Sequence, residues 1–320
     1  MLLNLYRSNT PLAIFSLPFL IAVISLPILF FDSPSINLVF EWQNTLCRSI
    51  YESKIVNFLC TVSIVSVTAH QFNRAYNINT FYSRNTFVPG FIYVICLQSF
   101  KALIFTPMLI AHLFLVFGLM QLFKLKRQES AKSIVFWSSF FISLAVIFAP
   151  FQVGLILLPW FALVIFRPFV WREWMLVIVG TLIPFFYFVG IMYMAKGYVV
   201  FPSPDQFGFV AEGKMQFFEI FNIIFFGLIV LGSIYKYLTI LRSEINRFKK
   251  LSQILLHFSW ISLMSFCAAW YFYDTFFLSF LIPLSIFIST QLLHSRNSGI
   301  VNWIVIIWLI ISLSNVILSH

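Results

Sequence analysis

Charged side chains are scarce in this sequence. Lys, Arg, Asp and Glu make up 9% of the 320 residues, whereas a soluble domain carries roughly 25%. Hydrophobic residues make up 61% of the chain, so a surface that faces water cannot be built from this composition. Most of each folded segment must therefore face lipid or another segment of the chain, and a soluble globular protein is excluded.

Cysteine and histidine are also few. The 4 cysteines show no Cys-x-x-Cys spacing, and three of them lie in apolar runs, where a free cysteine behaves as a small hydrophobic residue. The 5 histidines lack the i, i+4 spacing of a helical metal site. We therefore predict no disulfide framework, no metal site and no cofactor.

Two enzyme motifs are missing, and one apparent binding signal has another explanation. The sequence contains neither a Gly-x-x-x-x-Gly-Lys phosphate loop nor a Gly-x-Ser-x-Gly nucleophile elbow. Its net charge of +10 resembles that of a nucleic-acid-binding protein. The basic residues, however, lie at the ends of apolar runs and in short loops, where they attract anionic lipid headgroups. We expect membrane lipids, and no nucleic acid, as partners.

Long apolar runs are what the sequence has in abundance. A helix needs about 20 apolar residues to cross a bilayer core of about 30 Å, and alternating strands of the barrel type are absent. The pattern predicts an all-α polytopic transmembrane helical bundle of about eleven spans, which forms a single integral membrane domain over residues 1–320. The predicted spans are 11–31, 55–70, 87–100, 103–123, 133–149, 150–166, 173–194, 216–237, 251–271, 275–294 and 300–318.

The distribution of charge predicts the orientation of these spans. With the N-terminus in the cytoplasm, fifteen of the 20 basic residues lie inside and five outside, as the positive-inside rule requires. Seven of the 10 acidic residues then lie outside. The two longest loops, 32–54 and 195–215, are external, and the C-terminus is periplasmic. Apolar residues at helical spacing in the first loop indicate a helix that lies in the membrane interface.

Two stretches of the chain resemble a known group of proteins. They are Thr106-Pro-Met-Leu-Ile-Ala-His-Leu-Phe through Phe123-Lys-Leu-Lys-Arg, and the stretch that ends in Arg167-Pro-Phe-Val-Trp-Arg-Glu-Trp174. In these residues the chain is similar to a family of uncharacterised bacterial inner-membrane proteins, over about residues 4–193. The resemblance implies an inner-membrane location and carries no activity with it.

The order of spans and loops is also similar to that of the GT-C glycosyltransferases. These enzymes share a first span, an external loop with interfacial helices, and hairpins closed by basic cytoplasmic loops. The resemblance implies that an acidic residue just outside the first span acts as a base or metal ligand, and Asp32 and Glu41 occupy the matching loop. The chain departs from the pattern because it has no Asp-x-Asp pair and its external loops are short.

Asp32 and Glu41 are the candidate catalytic residues. Asp32 directly follows a span, at the depth of a lipid-linked phosphate, where a carboxylate can accept the proton of an acceptor hydroxyl. Glu41 precedes Trp42 in the expected interfacial helix. The alternatives are that Asp32 ends the first helix and that Glu41 lies on an ordinary solvated face.

Lys101, Arg48 and Lys54 are the candidate substrate-binding residues. Lys101 lies in a short external hairpin, although the chain places most of its basic residues inside, and phosphate binding explains its position. Arg48 and Lys54 flank the same site from the first loop. The alternative for Lys101 is an ammonium group that extends to the interface from the end of a short helix.

Two further features have structural and functional interpretations. His112 and His257 lie inside spans and should face the bundle, either as hydrogen-bonded core residues or as parts of a proton relay. The segment 167–173 either binds a cytoplasmic partner or anchors the chain in the interface. Both alternatives stay open on the sequence alone.

Three functions follow from these observations. The first is envelope biogenesis by a GT-C-like transferase that uses a polyprenyl-phosphate-linked sugar on the periplasmic side. The second is a non-catalytic accessory or scaffold subunit among other inner-membrane proteins, for which few polar residues are expected. The third is a transporter, which is disfavoured because neither inverted repeats nor intramembrane charges are evident.

Overall fold

The fold is described from a computed structural model of the chain. The structure describes residues 2–7, 11–30, 41–125, 130–196, 217–243, 246–272, 278–295 and 297–317. In these ranges the regular structure is helical throughout, without a β-strand. The all-α class predicted from the sequence is therefore confirmed.

Fourteen α-helices and one 3₁₀ segment make up the described chain. In order they are α1 (Leu2–Arg7), α2 (Pro11–Ile24), α3 (Pro27–Phe30), α4 (Glu41–Tyr51), α5 (Lys54–Ile78), α6 (Val88–Ser99), α7 (Pro107–Leu122), α8 (Lys132–Phe148), the 3₁₀ segment Pro150–Leu157, α9 (Leu158–Phe166), α10 (Trp171–Lys196), α11 (Phe217–Ser243), α12 (Asn246–Phe272), α13 (Leu281–Leu293) and α14 (Ser298–Ile317).

Five stretches in the described ranges are long and apolar enough to cross a membrane. Apolar side chains such as Phe186 on α10 and Leu228 on α11 are exposed along these stretches, as expected for helices that face lipid. The five are Leu12–Phe30, Lys54–Ile78, Trp171–Met194, Glu219–Arg242 and Gly299–Val316. Shorter apolar helical segments cover Val88–Ser99, Pro107–Leu122, Lys132–Phe148, Pro150–Phe166 and Leu281–Leu293.

Two predicted loops are largely helical instead. The polar stretch 71–86 was expected to be a loop, but α5 continues through Ile78. Its asparagines are used inside the fold: the side chain of Asn77 exchanges two hydrogen bonds with the backbone of Thr86, at 3.0 and 3.1 Å. The expected basic loop 238–250 is occupied by the end of α11 and the start of α12, because Lys and Arg are good helix formers.

Two of the predicted spans are not continuous α-helices. The first span breaks at Ser25–Leu26, directly before Pro27, so α2 and α3 are separate helices. The span predicted at 150–166 begins as a 3₁₀ segment, with non-helical dihedral angles at Gln152 (φ −93, ψ 19), and becomes an α-helix at Leu158. A proline removes a backbone donor and clashes with the preceding turn, which accounts for the break at Pro27.

The shortest apolar helices lie at the centre of the bundle. All residues of α6 are buried, and α13, which packs against it, is buried almost throughout. α5 and α14 also pack against α6. α7 packs against α5, α8 against α7, and α10 against α8. A helix of 12 residues is about 18 Å long, so α6 by itself covers only part of a bilayer core of about 30 Å. Its two ends therefore need partners from neighbouring helices.

Candidate functional site

The C-terminal end of α6 is a polar cluster that three helices build. The carbonyl of Ser99, the last residue of α6, accepts hydrogen bonds from Asn222 Nδ2 of α11 at 2.5 Å and from Asn315 Nδ2 of α14 at 3.4 Å. Ser99 Oγ accepts a hydrogen bond from Trp308 Nε1 of α14 at 2.9 Å. A helix leaves its last carbonyls without intrahelical partners, and these side chains supply one for Ser99.

α6 ends in a Schellman motif in which lysine takes the usual place of glycine. The N–H of Lys101 donates to Gln98 O and the N–H of Ala102 donates to Leu97 O, both at 3.0 Å. This motif requires a left-handed residue, most often glycine, and Lys101 adopts it with φ of 53°. A side chain in this region costs about 1 kcal/mol or more. The lysine is therefore less favourable for the backbone than glycine would be.

The ammonium group of Lys101 forms an ion pair with Glu219 of α11. Both side chains are partly open, with 31% and 27% of their surface exposed. Glu219 lies one helical turn before Asn222, so a single face of α11 supplies both the carboxylate beside Lys101 and the amide beside Ser99. An ion pair with this exposure contributes about 0–1 kcal/mol, which does not exceed the backbone cost of Lys101.

The cluster also contains polar atoms that the fold leaves without partners. Asn222 Oδ1, Asn315 Oδ1 and Gln98 Nε2 are buried and form no hydrogen bond within the described residues. A buried polar atom without a partner is unfavourable by about 1–3 kcal/mol. The C-terminal end of α6 thus combines one cation, one carboxylate and several buried polar atoms without partners.

The predicted catalytic residues lie largely beyond the described chain. Asp32 falls in 31–40, outside the described residues. Glu41 is the first residue of α4, and its side chain is also outside what the structure describes. The helix expected in this loop is present as α4.

Arg48 and Lys54 are exposed on two helices that pack against each other. Arg48 lies in the last turn of α4, and Lys54 begins α5 after Ser53, whose Oγ accepts the N–H of Val56 at 3.4 Å. α4 also reaches the link that follows Lys101, because the Tyr51 hydroxyl donates to Phe105 O at 2.6 Å. The structure therefore brings the joint between α4 and α5 close to the segment after Lys101.

Sequence reasoning missed the role of Glu219. The sequence placed it near the external end of a span and gave it no part in the site. One signal pointed to it: Lys101 and Glu219 are both predicted on the external side of the membrane. Spacing cannot reveal the pair, because 118 positions separate the two residues.

His112 faces the bundle as predicted. Its ring is fully buried in α7, and Nδ1 lies 2.9 Å from the hydroxyl of Tyr93 of α6. Nε2 has no hydrogen-bonding partner among the described residues.

His257 of α12 is only partly buried, bonds Gln253 O through Nδ1 at 2.7 Å and stacks on Phe161. Its environment is that of an interhelical packing residue.

The segment 167–173 contains both a buried ion pair and exposed aromatic rings. Glu173 is 3% exposed, accepts the N–H of Ala131 at 3.2 Å and lies 3.3 Å from Arg167 Nε. Phe169 and Trp171 are exposed over 71% and 61% of their surface. The carboxylate therefore ties the start of α8 to the start of α10, whereas the rings are placed for the interface.

In the described part of the chain, no group of three or more His, Cys, Asp or Glu side chains is arranged to hold a metal ion. The comparisons with known proteins add no assignment to the end of α6. No protein-family model, no curated protein and no solved structure matches this chain.

Proposed function

We propose that this chain crosses the bacterial inner membrane eleven times, with its N-terminus in the cytoplasm and its C-terminus in the periplasm. Contacts at the two ends of the bundle support the proposal. At one end, segments predicted inside meet: Arg7 Nη2 donates to Leu293 O at 3.0 Å, and Phe81 packs against Phe248. At the other end, segments predicted outside meet, as in the pair of Lys101 and Glu219.

The proposed function is to bind a phosphate-bearing lipid at the Lys101 end during envelope biogenesis. The substrate class is a polyprenyl-phosphate-linked sugar, and the architecture is GT-C-like. The observation that carries the proposal is the lysine at the left-handed position of the Schellman motif. Backbone strain of this kind concentrates at functional sites, and glycine there would relieve it. We therefore attribute the ammonium group at this position to ligand binding.

Each residue of the site has a role under this proposal. Lys101 binds the phosphate through its positive charge. Glu219 pairs with the ammonium group of Lys101 when no lipid is bound. Arg48 and Lys54 attract the lipid's phosphate to this end of the bundle. Asp32 or Glu41 takes the proton from the acceptor hydroxyl, which contributes about 10²–10⁴ in rate.

The test is the affinity of the purified protein for a long-chain polyprenyl phosphate, measured by native mass spectrometry. We expect Lys101→Gly to keep the folded state, because glycine relieves the backbone, while phosphate binding falls by about tenfold. Glu219→Gln should bind more tightly than the wild type, because the lysine loses its competing carboxylate. Thr80→Gly is the matched control: Thr80 is also left-handed, with φ of 52°, and its substitution should not change binding.

The same experiment tests a second candidate, an accessory or scaffold subunit. The observation that favours it is that Lys101 already has an internal counter-ion, which a purely structural pair would also have. In that case Lys101→Gly and Glu219→Gln would both leave polyprenyl-phosphate binding unchanged. The protein would instead copurify with another inner-membrane subunit, and this result would replace the transferase proposal.

A further inference from the structure

A groove opens between α11, α13 and α14 at the basic end of the bundle, the opposite end of α11 from Glu219. Its volume is about 560 Å³. Aliphatic side chains line most of its length, including Leu228 and Ile229 from α11 and Ile300 and Ile304 from α14. Leu228 and Ile300 are also among the exposed apolar residues, so the groove is open on the face that meets the membrane.

One end of the groove is polar and positively charged. Lys236 of α11, Gln291 of α13, Ser295 and Asn297 surround it. Lys236 is exposed and has no carboxylate within ion-pair distance in the described part of the chain. The groove therefore has an apolar body and a cationic end, as a lipid has an apolar chain and an anionic headgroup.

The amide group of Gln291 is held beside the groove. Ser233 Oγ lies 2.5 Å from Gln291 Oε1 and 2.6 Å from Ile229 O, and the other amide atom of Gln291, Nε2, is a hydrogen-bond donor for a ligand. Gly232 lies opposite, where a Cβ atom would come 3.4 Å from that nitrogen. α14 begins at Ser298, beside Asn297, and a helix N-terminus adds partial positive charge. All of these groups favour an anion near Lys236.

The length of the groove matches one leaflet. Its residues on α11 run from Phe225 to Lys236, which is about 17 Å at 1.5 Å per residue. A bilayer core is about 30 Å thick, so this length is about half of it. When Lys236 lies at the headgroup level, the apolar part of the groove ends near the middle of the membrane.

We propose that this groove binds one anionic glycerophospholipid, with an acyl chain along α11 and α14 and its phosphate on Lys236. Gln291 Nε2 and the Asn297 side chain donate to the phosphate oxygens. Basic pockets between helices on the cytoplasmic side are favourable for anionic headgroups, and the positive-inside rule places Lys236 on that side. The proposal is independent of the Lys101 site.

Native mass spectrometry with defined lipids tests the charge of the site. The wild-type protein should retain dioleoyl phosphatidylglycerol more tightly than dioleoyl phosphatidylethanolamine. We expect Lys236→Gln to weaken phosphatidylglycerol binding by about fivefold, the effect of one lysine near an anionic surface, and to leave phosphatidylethanolamine binding unchanged. Arg242→Gln is the matched control, because Arg242 is an exposed cation on the same helix outside the groove. Equal effects of the two substitutions would overturn the proposal.

A second pair of variants tests the shape of the site without changing charge. Gly232→Leu adds a side chain against Gln291 at the polar end of the groove and should abolish the selective retention of phosphatidylglycerol. Gly227→Leu is its control, since a Cβ there meets nothing within 4 Å. If phosphatidylglycerol binds Gly232→Leu as tightly as the wild type, the groove is not the site. If Gly232→Leu instead converts a wild-type dimer into a monomer, the groove belongs to a second copy of the chain and the proposal is wrong.

Discussion

Asn73 of α5 caps the helix α6, which begins fifteen residues later in the chain. Its Oδ1 accepts the N–H of Gly90, in the first turn of α6, at 2.6 Å. Gly90 is packed so closely that a Cβ atom would lie 2.6 Å from Ala69 O and 2.6 Å from Asn73 Nδ2. The hydrogen bond from Gly90 to Asn73, and the close approach that glycine allows, therefore join α5 and α6 in the centre of the bundle.

This contact predicts how substitutions at the two positions behave. Gly90→Ala should destabilise the fold by about 1–3 kcal/mol, since the added methyl group overpacks the contact. Asn73→Ala should cost about 0.5–2 kcal/mol through the lost cap. Thermal unfolding in detergent measures both, with Gly227→Ala as the control because its Cβ would lie in open space. Full additivity in the double variant would contradict direct coupling.

The buried pair of Glu173 and Arg167 should be important for stability. Removing one partner from a buried pair leaves an uncompensated charge and costs about 3–5 kcal/mol. We therefore expect Glu173→Ala to lower the melting temperature strongly, also because the N–H of Ala131 loses its acceptor. Arg172→Ala changes an exposed neighbour and should have an effect within about 0.5 kcal/mol. If both variants melt at the same temperature, the pair does not stabilise the fold.

The reactivity of Cys47 should depend strongly on pH. Burial raises the pKa of the Cys47 thiol to about 11, although a hydrogen bond with Tyr51 opposes the shift. Because only the thiolate reacts, alkylation in the folded protein should rise about tenfold per pH unit and level off near pH 11. In denaturant it should level off near pH 9. Mass spectrometry of alkylated peptides gives both profiles, and coincident profiles would contradict the burial of Cys47.

Reporter fusions test the proposed orientation. Alkaline phosphatase fused at position 128 or 245 should be inactive, because both positions follow basic segments that the positive-inside rule assigns to the cytoplasm. Fusions at positions 45 and 205 should be active, since both lie in the loops predicted to be external. Immunoblots provide the control for expression. Active fusions at 128 or 245 together with an inactive fusion at 45 would show that the orientation is the opposite of the one proposed.

Local patterns predicted the helices well and their ends poorly. Apolar runs predicted where most of the helices form. The end of α5 was predicted about eight residues too early, because His70 is followed by polar residues that are typical of a loop. Those residues continue the helix because Asn73 and Asn77 find partners at the start of α6, which no local pattern records.

The candidate site, too, was only partly predictable from the sequence. The sequence singled out Lys101, because a basic residue in a short external hairpin departs from the charge pattern of the chain. It did not reveal Glu219, the left-handed backbone of Lys101 or the amides around Ser99. The sequence did not reveal the groove at Lys236 either, since three helices from distant parts of the chain form its walls.

By itself the sequence determined that this protein is helical and suited to a membrane. Hydrophobic composition and run length act residue by residue, so they can be read without knowing which helices touch. The tertiary structure alone decided which helices are central, which polar groups are paired and where ligands have room. These properties arise from contacts between residues far apart in sequence, such as Lys101 and Glu219, and the packing energy that selects them is a property of the whole bundle.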